Sequence, residues 1–496
     1  MVYGSGIHFK IRRWLMKSSA AGGARGGQIR LCLAAACGLV LTAASLPAAE
    51  PLPPVRVSDN GHYFVNADGT PFFWQADTAW GIFNHAAPAD VDAYLDDRQA
   101  KGFNVIQGVV ALWDYNRHRN PDGELPFIDG DLGRINEAYY KNMDAILDQV
   151  AAHGMYMAIL PYWHKNAGDR LGTGDIPQRL QAYCRFLSRR YARRNNFWVL
   201  GGDSTAAAAA GEKIQKITEL EALGLIDGAK AAGVGKILVS YHPTGRQSSS
   251  FWFHDRPWLD FNSIQSGHFI DTTDFRLVAA DYARLPVKPT LDMEPGYENI
   301  TDGLSGSPDA RRIQAVDVRR SEYLDVFAGA AGLTYGQGEV YAFAPGGKVT
   351  TRWGTTMSWK EALQLPASGQ MQFLRRLIES RPMLERTPDQ SLIADDLSPY
   401  AGERVEALRG GDASYALVYL PDGKTNVTVN TGRLTGTELI AWWYDPRTGK
   451  AVQLGRLAKS DHHQFSTPDN GDWVLVLDDA AKKYAAPGKR ATVPEE

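Results

Sequence analysis

The stretch Phe197-Trp-Val-Leu-Gly-Gly-Asp203 is an apolar, β-prone run that ends on a carboxylate. A second stretch, Pro289-Thr-Leu-Asp-Met-Glu-Pro295, has the same form and carries Glu294 at its end. Short apolar runs of this kind are typical of buried strands. In a (β/α)8 barrel the side chains at the carboxyl ends of the strands carry the chemistry, so this pair predicts an acid/base residue and a nucleophile.

Six more runs of the same kind complete a set of eight predicted strands. The eight are Phe72–Trp80, Asn104–Leu112, Tyr156–Trp163, Phe197–Asp203, Lys236–Pro243, Phe261–His268, Lys288–Pro295 and Leu333–Glu339. Helical patterns lie between most of them, at Ala89–Lys101, Asn136–His153, Pro177–Arg194, Glu212–Ala232, Thr273–Arg284 and Asp309–Gly329. This alternation predicts an α/β chain with a (β/α)8 TIM barrel, in which Asp203 ends strand four and Glu294 ends strand seven.

Composition and residue patterns divide the chain of 496 residues into four parts. Residues 1–49 predict a signal peptide, because basic residues precede a short apolar stretch and then small residues. Residues 50–388 hold the barrel with an N-terminal hairpin, and 389–480 hold short strands between turn signals, which predicts a small all-β sandwich. Residues 481–496 are rich in Lys, Ala and Pro and predict a disordered tail.

The leader also changes how the charge is interpreted. All six Lys and Arg residues that precede Glu50 lie in it, so its removal takes the net charge from −3 to −9. An acidic protein does not suit nucleic acid or an anionic membrane. We expect a periplasmic or extracellular protein that is not inserted in the membrane, exported by ordinary secretion or by a twin-arginine route. Of the three cysteines only Cys184 would remain, which leaves no disulfide.

Other strand ends add polar and aromatic side chains that would line a substrate cleft. The candidate substrate-binding residues are Asp77, Trp80, Gln107, Trp113, Tyr162, His242, Gln265, Tyr297 and Tyr335. Aromatic rings stack on the apolar faces of sugars, although each is also an ordinary core residue. Asp77 suits a grip on sugar hydroxyls or a helix cap, and His242 suits a bond to a catalytic carboxylate or a self-contained position at the barrel mouth.

Two further acids lie close to Glu294 in the sequence. Asp292 is two residues earlier on the same strand, so its side chain is expected to point the same way and to orient its neighbour. Glu298, on the loop that follows, is the main rival for the nucleophile, with a supporting acid or a helix cap as its alternatives.

Other chemistries find less support in the sequence. Metal-dependent barrel hydrolases bring a His-x-His pair on strand one, where this chain has no histidine. The sequence also has no Gly-x-Ser-x-Gly elbow for a serine nucleophile. We therefore expect neither a metal nor a cofactor.

Four linked motifs resemble a known family. They are Lys101-Gly-Phe-Asn-Val-Ile-Gln107, Trp198-Val-Leu-Gly-Gly-Asp203, Leu291-Asp-Met-Glu-Pro-Gly-Tyr-Glu298 and Leu333-Thr-Tyr-Gly336. From about Val55 to Pro388 the chain resembles the apiosidase-like glycoside hydrolases, family 140. The C-terminal part, with Ala441-Trp-Trp-Tyr-Asp-Pro-Arg-Thr-Gly449, resembles the collagen-binding-type β module that follows such barrels.

The resemblance implies Asp203 as acid/base and Glu294 as nucleophile of a retaining glycoside hydrolase. It also implies an oligo- or polysaccharide substrate, namely a plant cell-wall pectic glycan with apiose linkages. The chain departs from the family at Ser204-Thr205 and the alanine run after it, where a more polar substrate loop is expected. The resemblance therefore does not identify the sugar. The alternatives are a non-catalytic glycan-binding barrel and a protein that binds matrix proteins through its β module.

Overall fold

The computed structural model describes residues 52–112, 119–166, 171, 173–206, 211–271, 274–307, 309–344 and 356–489. All of these residues belong to one compact unit. The predicted signal peptide lies outside the described residues, as does Trp113. Within the described part of the chain, no helix is both long enough and apolar enough to cross a membrane.

The N-terminal part alternates strands with helices. Its strands are β1 (Val55–Val57), β2 (Phe64–Asn66), β3 (Pro71–Phe72), β4 (Trp74–Thr78), β5 (Val105–Ala111), β6 (Tyr156–Tyr162), β7 (Phe197–Ser204), β8 (Leu238–Pro243), β9 (Gln247–Ser248), β10 (Asn262–Gln265), β11 (Thr290–Asp292) and β12 (Gly332–Tyr335). Its helices are α1 (Pro88–Ala100), α2 (Glu137–Ala152), α3 (Ile176–Tyr191), α4 (Gly211–Ala231), α5 (Ser250–Phe253), α6 (Phe275–Tyr282), α7 (Ala315–Phe327), α8 (Trp359–Ala362) and α9 (Pro366–Glu379).

Each of the eight predicted strands overlaps an observed one. Main-chain ladders join six of them in parallel, in the order β12-β4-β5-β6-β7-β8, and β10 pairs in parallel with β11. The two sheets meet through separate hydrogen bonds, among them that from Ser240 Oγ to the carbonyl of Phe261 at 2.7 Å and that from the Ala331 N–H to the carbonyl of Thr290 at 2.8 Å. The domain is therefore an α/β fold with a parallel half-barrel and a second parallel pair beside it. The predicted hairpin is the antiparallel sheet β1-β2-β3.

Strand alternation sorts the buried side chains into two layers. On β4, Trp74 and Ala76 belong to an inner apolar cluster with residues such as Val105, Phe197 and Leu291. Residues of the opposite parity face the surrounding helices. Because successive side chains point to opposite faces of a strand, this parity decides which strand-end residues reach the inside of the domain.

The C-terminal part is an antiparallel module. Its strands are β13 (Thr387–Pro388), β14 (Glu406–Arg409), β15 (Tyr415–Leu420), β16 (Asn426–Val429), β17 (Glu438–Tyr444), β18 (Ala451–Ala458), β19 (His463–Ser466) and β20 (Trp473–Asp479). Six of them form one sheet in the order β13-β14-β15-β20-β17-β18, and β16 pairs with β19. The second sheet of the module thus has two strands against six in the first.

The module packs on helix α7. The ring of Tyr323 stacks on Tyr419 with centroids 5.0 Å apart. Arg319 makes a two-point ion pair with Asp472, both distances being 2.8 Å, and donates to Gln370 at 2.6 Å. This ion pair is almost entirely buried, so each charge depends on the other.

The predicted disordered tail is partly ordered, which corrects the expectation for residues 481–489. The hydroxyls of Tyr484 and Ser414 lie 2.8 Å apart, and the Arg381 guanidinium lies 4.9 Å from the Tyr484 ring centroid. One aromatic residue in a polar stretch is enough to anchor it, because its ring buries a large area.

We expect Arg319→Ala to destabilise the protein by about 3–5 kcal/mol, because the Asp472 carboxylate would stay buried without its partner. Arg456→Ala is the control: its partner Glu438 and Arg456 itself are both about half exposed, and exposed pairs contribute about 0–1 kcal/mol. Urea unfolding measures both. Equal, small effects for the two variants would contradict the buried contact.

Candidate active site

Glu294 lies just beyond the end of β11, between two histidines. Nε2 of His268 hydrogen bonds to Glu294 Oε1 at 3.2 Å. Nε2 of His242 lies 3.0 Å from Glu294 Oε2, close enough for an ion pair although the direction falls short of a hydrogen bond. The carboxyl is almost fully buried, so these two rings are its principal compensation.

The electrostatics of this group favour an ionised glutamate. Burial raises the pKa of Glu294, but the contacts of His242 and His268 outweigh it and bring the pKa from 4.5 to about 2. Burial lowers the pKa of His242, and the Glu294 carboxylate more than offsets this, so that the His242 pKa is raised from 6.5. A carboxylate held ionised in a water-poor site is what a nucleophile requires.

The ring orientation of His242 is fixed from its other side. Its Nδ1 lies 3.0 Å from the carbonyl oxygen of Pro243, which can only accept a hydrogen bond. Nδ1 therefore carries a proton, and a second proton on Nε2 makes the imidazolium that faces Glu294. His242 is one sequence-based candidate that the structure brings to Glu294.

Asp203 is carried by a backbone turn that needs glycine. Gly201, Gly202 and Asp203 all have positive φ, at 90°, 103° and 50°. A Cβ at Gly201 would lie 2.5 Å from the His242 carbonyl oxygen, and one at Gly202 would lie 2.7 Å from the Trp163 ring. The Gly-Gly-Asp sequence thus lets β7 pass close to its neighbours before it presents Asp203.

A group that sequence reasoning missed contacts Asp203 directly. Lys165 Nζ lies 2.8 Å from Asp203 Oδ2, and the lysine side chain is 56 % exposed. Its position in the loop after β6 carries no sequence pattern that marks it. The pair lies at the open side of the site, where a ligand would meet it.

A buried chain of polar groups lies behind Asp203. His164 Nε2 lies 2.7 Å from Glu221 Oε2 on α4, and His164 Nδ1 lies 3.2 Å from Ser204 Oγ. Ser204 Oγ lies 2.7 Å from the Tyr241 hydroxyl, which also donates to the Ser204 carbonyl. These bonds fix Ser204, the residue that follows Asp203. No sequence pattern marks Glu221 or Tyr241 as part of this group.

Three sequence-based candidates form the wall beneath Glu294. Gln107 Nε2 donates to the carbonyl of Met293 at 2.9 Å, which holds the chain next to Glu294. Trp80 Nε1 donates to the Tyr297 hydroxyl at 2.9 Å, and the Tyr297 ring lies 4.5 Å from that of His268. All are buried, so they support the carboxylate and its histidines and do not offer open ring faces.

Gln265 and Tyr162 end their strands as predicted. Both are nearly buried, and Gln265 Oε1 has no hydrogen-bond partner in the described part of the chain. Their roles stay predictions.

Asp77 and Tyr335 lie away from the cleft, which corrects two sequence-based positions. The Asp77 carboxylate is fully buried, with Arg98 Nε 2.7 Å away and the Tyr94 hydroxyl as a second donor, both from α1. The Tyr335 hydroxyl donates to Glu298 Oε2 at 2.6 Å, and Arg98 lies over its ring. Both residues have the strand parity that faces the helices, so they hold α1 and the loop after β11 in place.

The two acids near Glu294 have different roles. Asp292 does not point the same way as Glu294, because β11 ends at Asp292 and the chain bends there. Its Oδ1 instead accepts the Glu294 N–H at 3.1 Å. Glu298 accepts from the Ala367 N–H at 3.2 Å in the first turn of α9, which confirms the helix-cap alternative.

Comparison with known proteins bears on this geometry. The sequence signature described as "Apiosidase-like, catalytic domain" matches residues 58–385, about two thirds of the chain. The chain belongs to the apiosidase-like family. A second signature, "Putative collagen-binding domain of a collagenase", matches residues 387–478 and so covers the C-terminal module. No curated protein matches the sequence.

Solved structures agree with the family. The chain of this apiosidase-like protein is 31 % identical to a glycoside hydrolase family 5 protein from Bacteroides vulgatus, with a TM-score of 0.79, covering 89 % of this chain and 97 % of that one. It is 30 % identical to a second structure, named a glycoside hydrolase, with a TM-score of 0.78, covering 87 % and 98 %. The apiosidase-like protein therefore has the fold and family of a glycosidase.

We expect Asp77→Asn to destabilise the apiosidase-like protein by about 3–5 kcal/mol, because Arg98 on α1 would lose its fully buried counter-charge and keep only Asp97. Asp92→Asn, at an exposed position on the same helix, should change stability by less than about 0.5 kcal/mol. Urea unfolding checks the stability and calorimetry with pectic oligosaccharides checks binding. Unchanged stability with lost glycan binding would restore Asp77 to the cleft.

The Glu294–His242 contact should give stability a pH window. The folded pKa of Glu294 is below 4.5, so its contribution is full above about pH 4.5 and declines as the pH falls through about 2. The folded pKa of His242 is above 6.5, so its contribution is full below about pH 6.5 and is lost as the pH rises through the folded value.

The stability difference between wild type and Glu294→Gln/His242→Gln should therefore peak between about pH 4.5 and 6.5. Urea unfolding across the acid and neutral range measures it. A difference that does not vary with pH would mean that these two groups are not coupled.

Proposed function

We propose that this protein is an exported, retaining glycoside hydrolase that cleaves apiose linkages in a plant cell-wall pectic glycan. The observation that carries the proposal is the buried Glu294 carboxylate, kept ionised by His242 and His268 beyond the end of a parallel strand. Glycosidases that form a covalent intermediate need such a carboxylate as well as a second carboxyl that exchanges protons.

The barrel itself is part of the proposal. A closed (β/α)8 barrel is supported by six strands in one parallel sheet, a parallel pair next to it and the hydrogen bonds that join the two sheets. In such a barrel β7 and β11 open toward the same rim, which puts Asp203 and Glu294 on one side of the domain. The electrostatic influence of Asp203 on His242 supports their proximity.

In the first step Asp203 gives its proton to the glycosidic oxygen while Glu294 attacks the anomeric carbon. The bond from the carbon to the leaving oxygen breaks as the bond to Glu294 forms. In the second step Asp203 takes a proton from water, whose oxygen attacks the same carbon and releases Glu294 as a carboxylate. The His242 and His268 contacts stabilise that carboxylate at the start and at the end.

Lys165 has a place in this cycle. Its ammonium lies on Asp203 Oδ2, where a protonated acid would face the leaving oxygen. Because more than half of its side chain is exposed, the lysine can move into solvent or onto a sugar hydroxyl when a glycan binds. The Asp203 carboxylate would then take up from solvent the proton that it transfers to the leaving oxygen.

The substrate rests on the family. The description of the matching family as apiosidase-like supports an apiose linkage, which occurs in branched pectin. Export rests on the basic and apolar pattern of residues 1–49. Amino-terminal sequencing of the protein from the periplasm or medium of a producing cell would test it, and a full-length cytoplasmic product would contradict it.

The decisive experiment is mass spectrometry of sugars released from a panel of branched pectins. We expect release by wild type and a loss of about 10³-fold or more for Glu294→Gln, which keeps the shape but removes the nucleophile. No release by wild type, with glycan still bound in a pull-down, would favour the alternative of a non-catalytic glycan-binding barrel.

The variant Asp203→Ala tests the acid role of Asp203. Loss of acid assistance should slow natural linkages by about 10²–10⁴-fold but spare aryl glycosides with good leaving groups, for which protonation matters less. Kinetics on both substrate types measure the contrast. Equal losses on the two would remove Asp203 from the acid role.

A further inference from the structure

Three buried aspartates converge on the helix-facing side of β11. Asp292 ends that strand, Asp274 precedes α6 and Asp325 lies on α7. One carboxylate oxygen from each lies within 4.8 Å of the others. Their exposed fractions are 3 %, 3 % and 1 %, so water does not screen the three acids from one another.

A fourth acid, outside that trio, points to the same place. Glu322 is one turn before Asp325 on α7 and is 1 % exposed. Its Oε1 has no hydrogen-bond partner among the described residues, and its electrostatic neighbours are Asp292 and Asp274. A buried polar atom without a partner is unfavourable, above all when the group is charged, so this oxygen is suited to bind a ligand.

Asp292 and Asp325 keep carboxylate oxygens without a hydrogen bond in the described part of the chain. Asp292 Oδ1 accepts from the N–H groups of Glu294 and Ser266, while its Oδ2 has no hydrogen-bond partner in the described structure. Asp274 Oδ2 accepts from Ser321 Oγ at 2.7 Å. Both oxygens of Asp325 are without a hydrogen bond within the described ranges. One anchored oxygen beside one without a hydrogen bond, as in Asp292, is typical of a carboxylate that binds a metal.

Three of the four acids have no basic partner in the described part of the chain: no described salt bridge reaches Asp292, Glu322 or Asp325. The two arginines on α7 point to other acids: Arg319 pairs with Asp472 and Arg320 with Asp422. Burial raises the pKa of Asp292 to about 8, with the Asp274 charge adding to the effect. Proton binding is thus the competing way to neutralise the cluster.

We propose that Asp274, Asp292, Glu322 and Asp325 bind a hard divalent cation of the Ca²⁺ class. Calcium takes six to eight oxygen ligands at about 2.3–2.6 Å, so ligand oxygens on opposite sides of it lie about 4.8 Å apart. The carboxylates supply oxygen ligands only, which disfavours softer metals. The sequence-based expectation of no metal rested on the missing His-x-His pair of catalytic metal sites. It did not cover a site made of carboxylates alone.

A cavity borders the acid cluster. It has a volume of about 400 Å³, and it is lined by Arg246, Ser266, Phe269, Asp271, Asp274, Arg276 and Leu277. Asp274 is the one proposed ligand in this lining, so the cavity touches the cluster at that residue.

The cation would act on structure and not on the substrate. It would tie α6, α7 and the end of β11 together, and Asp292 holds the N–H of Glu294. We therefore assign it a positioning role, and it leaves the proposed glycosidase chemistry to Asp203 and Glu294.

The test uses the full chain, stripped with EDTA and desalted. Equilibrium dialysis against Ca²⁺ should give about one ion per chain, and saturating Ca²⁺ should raise Tm by about 3 °C or more, because a ligand that binds only the folded state stabilises it. Asp325→Asn and Glu322→Gln should each weaken Ca²⁺ binding about tenfold or more and reduce the Tm shift, in line with the effect of losing a metal-site group.

The matched control is Asp281→Asn. Asp281 is an equally buried aspartate, but Ser248 and Ser250 donate to its oxygens at 2.5 Å, so the variant should keep the full Ca²⁺ response. Absence of bound Ca²⁺, Mg²⁺ and Mn²⁺ in the stripped and reloaded wild type would overturn the proposal. So would unchanged Ca²⁺ binding in both cluster variants. Higher stability of Asp325→Asn without any metal response would assign the cluster to shared protons.

Discussion

Alternation of side chains along the parallel strands decides where each functional group lies. Gln107 and His242 have the inward parity and meet around Glu294. Asp77 and Tyr335 have the outward parity and meet Arg98 on α1. Successive side chains of a strand point to opposite faces. A polar residue at a strand end therefore faces the site or the surrounding helices, and moving it by one position in the sequence would exchange the two.

Two acidic side chains at the end of β11 point in opposite directions. Asp292 points outward to the acids of α6 and α7, and after the bend Glu294 points inward to two histidines. One carboxylate has two histidine partners and a pKa lowered to about 2, whereas the other has acidic neighbours and a pKa raised to about 8. The same strand end thus holds an ionised group ready for chemistry and, by our proposal, a ligand for a cation.

Helix α7 links the site to the C-terminal module. Its sequence is rich in charged residues, yet from Asp317 to Phe327 every residue is buried. Arg319 and Tyr323 face the module, while Glu322 and Asp325 face the acid cluster behind β11. A polar helix can be buried only when its charges find partners, so the module helps to hold α7 against the parallel strands.

The sequence by itself determined the strand and helix order, the position of Asp203 and Glu294 at strand ends, and the family, because apolar periodicity and linked motifs are local properties. Only the tertiary structure decided which polar side chains meet. Lys165 beside Asp203, Glu221 behind His164 and Arg98 beside Asp77 join residues 21 to 57 positions apart. Such contacts depend on strand parity, on the bend after β11 and on the packing of helices, and no single stretch of sequence encodes them.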